Sequence, residues 1–384
     1  MDLLFVCSEA PTTAHPRPNG LIAALARRGH SVTLLFADEA GTAFDSLAEY
    51  CRQILPVRRR QFVEAVRAEA QPGRFELVQL DGPTAALLSE PLPLPNVLDA
   101  VVCSSLRRER SLRAQGPLVR AAQSAWLPHL RRDEAALLAR HSRVIVAAEA
   151  DAVAMRTLAG TEGDCQGKIH VVPSPIDLAR FGPPTRLRDP ATLLLDLREL
   201  ARYEAAAALA SIATTMAVIW AQRADTRLTV LGALPFGAAG RLAGDPRIVF
   251  TGPVHDPRGH LAAATMILAP VEPSATAPHA ALQALATATP LIVRAALARD
   301  LCAVASEELL VADTPDEQAQ AALALLEDAP FRGRLGKGGR RLAERQCSSQ
   351  RAVDALEHVY AAATGSALAE WRLELGMDRP RLAE

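Results

Sequence analysis

Residues 226–293 constrain the fold of this chain more than any other stretch. An apolar, β-branched run at 227–231 ends at Gly232, and a second run at 247–250 ends at Thr251-Gly252. A short amphipathic segment (256–264) and a third run (266–270) follow. The chain then passes through a loop of small and polar residues (272–278), a helical stretch (279–286) and a last apolar run (290–293). Strands alternating with helices at this spacing predict parallel βαβ units, whose ligands sit beyond the carboxyl ends of the strands, where loops meet helix N-termini. The 272–278 loop and the helix after it are therefore the first place to look for a bound anion.

The first half repeats this grammar. Strands are predicted at 3–6, 31–36, 75–80, 96–104, 142–147 and 168–172. Helices are predicted at 21–28, 58–70 and 151–159, with a long Arg-rich helical region over 106–141. Asn19-Gly20 opens the first helix and Gly29 stops it. The stretch 173–185, with Pro173, Pro175, Pro183 and Pro184, has the composition of a linker. The expected organisation is a first Rossmann-like domain over 1–172, a linker over 173–185, a second over 186–363, and a C-terminal helix and tail (364–384) returning to the first, with Trp371 as its anchor.

A chain of 384 residues that is 49% hydrophobic can fill two cores, and its net charge of −1 gives no electrostatic case for nucleic acid. The cysteines at 7, 51, 103, 165, 302 and 347 form no CxxC pair and read as free thiols of a reducing compartment. No apolar run approaches the roughly 20 residues of a bilayer span, and the N-terminus lacks the basic start of a signal peptide. The expected location is cytoplasmic. No metal-ligand spacing and no GxSxG nucleophile motif occurs.

Taken together, 227–232, 249–254, 261–270, 282–286 and 290–293, with the segment Val171-Val-Pro-Ser-Pro-Ile-Asp-Leu-Ala-Arg-Phe181, resemble the GT-B glycosyltransferases of the retaining family-4 type. In spacing they most resemble the sugar transferases of exopolysaccharide clusters. The resemblance implies an α/β fold of two Rossmann-like, doubly wound domains facing across a cleft. It also implies a nucleotide-sugar substrate, a glycan or lipid-linked acceptor, and neither a cofactor nor a bound metal.

Carried onto this sequence, the resemblance makes Arg198 and Arg202 the cations that hold the donor diphosphate. It sets Gln283 where a glutamate normally accepts hydrogen bonds from the ribose, and Ser274, Thr276 and His279 about the anion. Several positions depart from the pattern. Asp196 stands where a glycine is usual, Ala275 where the first signature glutamate is, and Ala280 where a lysine is. A carboxylate beside a diphosphate is repulsive, and an amide accepts without charge assistance.

In the first half, Gly20 is either a close-approach glycine for phosphate or simply a helix start. Asp99 and Ser105, beside Cys103 and Ser104, are either acceptor-binding groups or an ordinary turn after a strand. Arg107, Arg108, Arg110, Arg113, Arg131 and Arg132, with Trp126, make a tract that suits either an anionic membrane surface or a solvated helix face. Two functions remain open at this level: a retaining glycosyltransferase, or a GT-B pseudoenzyme serving as partner or scaffold of an active one.

Overall fold

The computed structural model describes residues 1–11, 16–38, 45–88, 90–113, 117–159, 166–184, 188–189, 191–235, 237, 240–254, 256–271 and 279–365. They form two compact units. The first comprises residues up to 109, 117–175 and everything described from 349 on, and the second 110–113 and 176–348. The chain passes from one to the other at Pro175–Ile176.

In chain order the first unit runs β1 (Asp2–Cys7), α1 (Pro16–Arg27), β2 (Ser31–Ala37), α2 (Asp45–Ala48), β3 (Gln53–Val57), α3 (Phe62–Glu69), β4 (Leu77–Asp81), α4 (Gly82–Leu87) and β5 (Asn96–Val101). It continues through α5 (Ser104–Arg113), α6 (Pro117–Ser124), α7 (Leu127–Arg140), β6 (Arg143–Val146), α8 (Glu149–Leu158) and β7 (Ile169–Val171). Its seven strands pair in the order β3-β2-β1-β4-β5-β6-β7, every pair parallel. Helices cover both faces of such a sheet, and its strands are accordingly continuous apolar runs.

The second unit runs β8 (Thr192–Asp196), α9 (Arg202–Gln222), β9 (Arg227–Leu231), β10 (Ile248–Phe250), α10 (Arg258–Ala263), β11 (Met266–Ala269), α11 (His279–Ala286) and β12 (Leu291–Val293). It ends with α12 (Ala295–Asp300), β13 (Leu310–Val311), α13 (Pro315–Glu327) and α14 (Ala329–Cys347). The parallel sheet order is β10-β9-β8-β11-β12-β13. Leu209, Ile212, Met216 and Ile219 of α9 pack with Leu323 and Leu326 of α13 on one face of this sheet. Leu282 and Leu285 of α11 pack with Leu342 of α14 on the other. Each such side chain contributes about 1.5–3 kcal/mol by leaving water. The close approach of α14 to α11 has a sequence cause. A Cβ at Gly339 would lie 2.7 Å from Leu285 Cδ2, and one at Gly336 would overlap the Ala288 carbonyl just past α11.

Four expectations are corrected. The first helix begins at Pro16, so Gly20 lies inside it. The 106–141 region is three helices. The apolar-run reading overlooked α9, which is long and apolar enough to span a bilayer by length and composition, although its inner face lies in the core of the second unit. The segment that returns to the first unit starts at Ser349, not at 364. Helix α15 (Ser349–Thr364) packs Ala352, Leu356, Val359 and Tyr360, a helical stripe, against Leu21 and Leu25 of α1. Trp371 and the rest of 366–384 lie outside the described residues.

Charge also fastens α15. Arg28 Nε donates to Glu357 Oε1 at 3.0 Å, Arg28 pairs with Asp354, and His30 Nε2 lies 3.5 Å from Glu357 Oε1. Burial pushes the Glu357 carboxyl up. Hydrogen bonding from His30 and Arg28, with the charge of Arg28, outweighs it and holds the group below the ordinary glutamate range. Stability from this cluster is complete above the unfolded pKa of about 4.3 and fades as pH falls through the folded one. Replacing Glu357 with Gln is expected to cost on the order of 3 kcal/mol at pH 7. Denaturant unfolding should show that difference shrinking steadily below pH 4.

Candidate functional site

In a doubly wound sheet the crevice for a ligand opens where successive crossovers leave in opposite directions. In the second unit β8 is that strand, with β9 on one side and β11 on the other. From its last residue the chain reads Asp196-Leu-Arg-Glu199. Beyond β11 it leads through 272–278, outside the described residues along with Ser274, Ala275 and Thr276, into α11.

The guanidinium of Arg198 is held on Asp196: Nε lies 3.0 and 3.2 Å from the two carboxylate oxygens, and Nη2 donates to Oδ2 at 2.7 Å. The Arg198 N–H also donates to Asp196 Oδ1 at 3.0 Å. The other contact of Nη2 is Gln283 Oε1, at 3.0 Å. Gln283 itself is buried, one turn into α11. The structure thus brings together Arg198 and Gln283, two of the residues expected to hold the donor. Arg202 instead opens α9 as an exposed side chain, with no ion pair among the described residues. His279 is the first residue of α11 and half-buried.

Sequence reasoning missed Glu199. Its carboxyl accepts hydrogen bonds from the backbone N–H groups of Ala280 and His279, the first amides of α11. Burial raises its pKa to about 7, opposed by the Ala280 bond, with the charge of Asp196 adding to the rise. Asp196 and Glu199 edge an otherwise apolar cavity of about 50 Å³ formed by Leu195, Leu200, Ile267, Ala284 and their neighbours. Gly232, at φ +112°, ends β9 against this segment. A Cβ there would lie 3.2 Å from the Arg198 nitrogen and 3.4 Å from its Cγ.

The Asp196–Arg198 pair had a readable signal. Asp-x-Arg also occurs at 225–227, where Asp225 pairs with Arg223 instead, and at Asp245-Pro-Arg247 and Asp256-Pro-Arg258, which form the same turn and bring the number of such turns to three, with the arginine's N–H and its guanidinium both on the aspartate. Of the three, the turn at 196–198 is the one joined to Gln283 and the cavity.

In the first unit β1 lies between β2 and β4. Asp81, at the end of β4, accepts from Ser8 N at 3.1 Å and from Thr84 N at 2.9 Å, which caps α4. Asp99 lies in β5, and Arg17 Nε lies 2.9 Å from its Oδ2 in a buried ion pair. Arg17 Nη1 also donates to the Val172 carbonyl (2.8 Å) and to Ser174 Oγ (3.1 Å), while its Nη2 has no partner among the described residues. Arg17 is a second missed residue. Val101 follows a bulge in β5 at φ +63°, a strained conformation for a β-branched side chain. Ser105 is buried, and its N–H lies 3.2 Å from Glu134 Oε2 at the start of α5. A Cβ at Gly20 would lie 2.8 Å from Pro175 Cγ, so that glycine admits the 172–175 segment.

The raised Glu199 pKa has a signed consequence. A folded carboxyl that holds its proton up to about pH 7, against about 4.3 unfolded, erodes stability as pH rises through that window and no further above it. Glu199→Gln is therefore expected to melt progressively higher than the natural chain from pH 4 to 7, with the gap levelling beyond. A gap independent of pH would show that the carboxyl does not titrate in that window.

Residues 200–328 match the family model of glycosyl transferases group 1. No curated protein matches the chain in sequence. Among solved structures, sucrose-phosphate synthase from Thermosynechococcus elongatus is similar over 96% of this chain and 100% of its own, at 18% identity and a TM-score of 0.71. HepE from Anabaena, solved with UDP and glucose, is similar over 94% and 100%, at 14% identity and a TM-score of 0.70. WaaG, a glycosyltransferase involved in lipopolysaccharide biosynthesis, is similar over 93% and 99%, at 15% and 0.62. The two parallel α/β units are thus those of the GT-B fold, and residues 200–328 are similar to glycosyl transferases group 1.

Proposed function

We propose that this protein transfers a sugar, with retention, from a nucleotide-sugar donor to a glycan or lipid-linked acceptor. One observation carries the reading. The matched residues begin just past the crevice at the end of β8, where a half-buried arginine, the first amides of a helix and a side-chain carbonyl converge. In this reading Arg198 neutralises charge that grows on the leaving diphosphate as the glycosidic bond breaks, which is the largest catalytic contribution fixed charge makes. The α11 amides take phosphate oxygens, and Gln283 Oε1 accepts from a ribose hydroxyl. HepE was solved with UDP and with UDP-glucose, which makes uridine nucleotides the first to try.

Arg198→Ala is expected to weaken nucleoside diphosphate binding at least tenfold in calorimetry, since a hydrogen bond to a charged group contributes about 1.5–3 kcal/mol. Transfer from UDP-glucose and other nucleotide sugars, followed by release of the diphosphate, tests activity itself. A chain that binds no nucleotide and turns over no donor would instead be a GT-B fold retained for a protein partner.

The acceptor side of the proposal places the protein peripherally on a membrane. Trp126, 71% exposed between α6 and α7, stands near exposed Arg131 and Arg132 at the start of α7. An interfacial aromatic beside basic residues suits anionic lipid. Vesicles containing anionic lipid should blue-shift the tryptophan emission of the natural chain but not of Trp126→Ala, and neutral vesicles should shift neither. Unchanged emission with anionic vesicles would remove the membrane from the account.

A further inference from the structure

The Arg198 fork and the opening amides of α11 are the two groups in the second unit best suited to a phosphate, and both already hold a carboxylate of this chain. Asp196 spans the Arg198 guanidinium with both oxygens, at 2.7 to 3.2 Å. The side chains of that pair are only 8% and 17% exposed, so water screens them poorly. Three residues on, Glu199 sits on the N–H groups of His279 and Ala280. Gln283 closes the arrangement from the next turn of α11, through Arg198. A diphosphate is likewise two linked anionic groups a few ångströms apart. It seeks the same donors, guanidinium forks and helix amides.

We propose that Asp196 and Glu199 are internal stand-ins for the two phosphates of the donor, and that a nucleoside diphosphate binds here by displacing both carboxylates from Arg198 and from the α11 amides. This rests on the donor-site reading above and adds to it the residues that set affinity. Three observations favour it over a purely local role. The two other Asp-x-Arg turns of the chain lie at more exposed positions, whereas this one reaches Gln283 and edges a cavity. Glu199 bridges elements 80 residues apart, from the end of β8 to the start of α11. Asp196 already neutralises the guanidinium and Glu199 adds negative charge as it ionises near pH 7, so an added diphosphate meets no net positive site unless they leave. Binding is then an exchange of one set of anions for another. The covalent tether gives the carboxylates a high effective concentration, and the affinity of the natural chain is correspondingly low.

The test is calorimetric binding of UDP, GDP, ADP, CDP and dTDP, and of the nucleosides alone, to the natural chain, Asp196→Asn, Glu199→Gln and the double variant. Asn and Gln retain a neutral acceptor for the same donors, and a thermal melt of each variant confirms folding. Should Glu199→Gln not fold, Asp196→Asn carries the test alone. The expected result is that each substitution tightens the preferred nucleoside diphosphate about tenfold and the pair more. Affinity for the matching nucleoside, which has no phosphate, should not change. Unchanged or weaker diphosphate binding in the folded variants overturns the inference while leaving the donor reading intact. Equal tightening of nucleoside and diphosphate also overturns it, since the pocket would only have been loosened. If no form binds any nucleotide, the donor reading fails and the inference with it.

Discussion

The parallel pairing of β8 with β9 on one edge and β11 on the other is the constraint on which the second unit depends. Its register sets Leu195 beside Val230 and Leu268, three buried side chains in one row. The chain leaves β8 and β11 toward different partners, and after Leu197, whose N–H still donates to the Leu231 carbonyl of β9, the backbone turns away from the ladder. Buried N–H groups must find acceptors elsewhere. Here side-chain carboxylates supply them, and that choice shapes the chemistry of the crevice.

The same solution recurs in the first unit. Asp81 receives the N–H of Ser8 beyond β1 and caps α4, Glu134 receives the first amides of α5, and Asp151 accepts from Cys103 N at 2.8 Å. Arginines serve the carbonyl ends of helices. Arg340 Nη1 donates to the Ala286 carbonyl at the end of α11 (2.6 Å), and Arg188 donates to Ala264 (3.0 Å) and Thr287 (2.7 Å) carbonyls. With Lys168 and Lys337 its only lysines, the chain makes its cationic contacts largely through the planar, multi-donor guanidinium. What distinguishes the β8 crevice is that its carboxylates rest on the groups a diphosphate would use.

Much of this was legible in the sequence, because apolar runs and helix periods are local signals. The strand at 227–231 and the helix at 279–286 were read with the bounds the structure has. Glu199 and Arg17 were not legible, since each acts on a partner about 80 residues away, and neither belongs to a motif with a fixed spacing. The role of Asp99 was hidden for the same reason: a strand-end aspartate looks alike in sequence whether it faces solvent or a buried arginine. Gly20 was misread because Pro16 and Pro18 look like loop residues, whereas proline is tolerated in the first turn of a helix.

A crystal structure of the chain with the nucleoside diphosphate it prefers tests the central claim most directly. The account expects the phosphates to lie on the Arg198 guanidinium and the His279 and Ala280 amides, with the Asp196 and Glu199 carboxylates turned away from them. A nucleotide bound elsewhere, or phosphates at this crevice with both carboxylates still on Arg198 and α11, would contradict it.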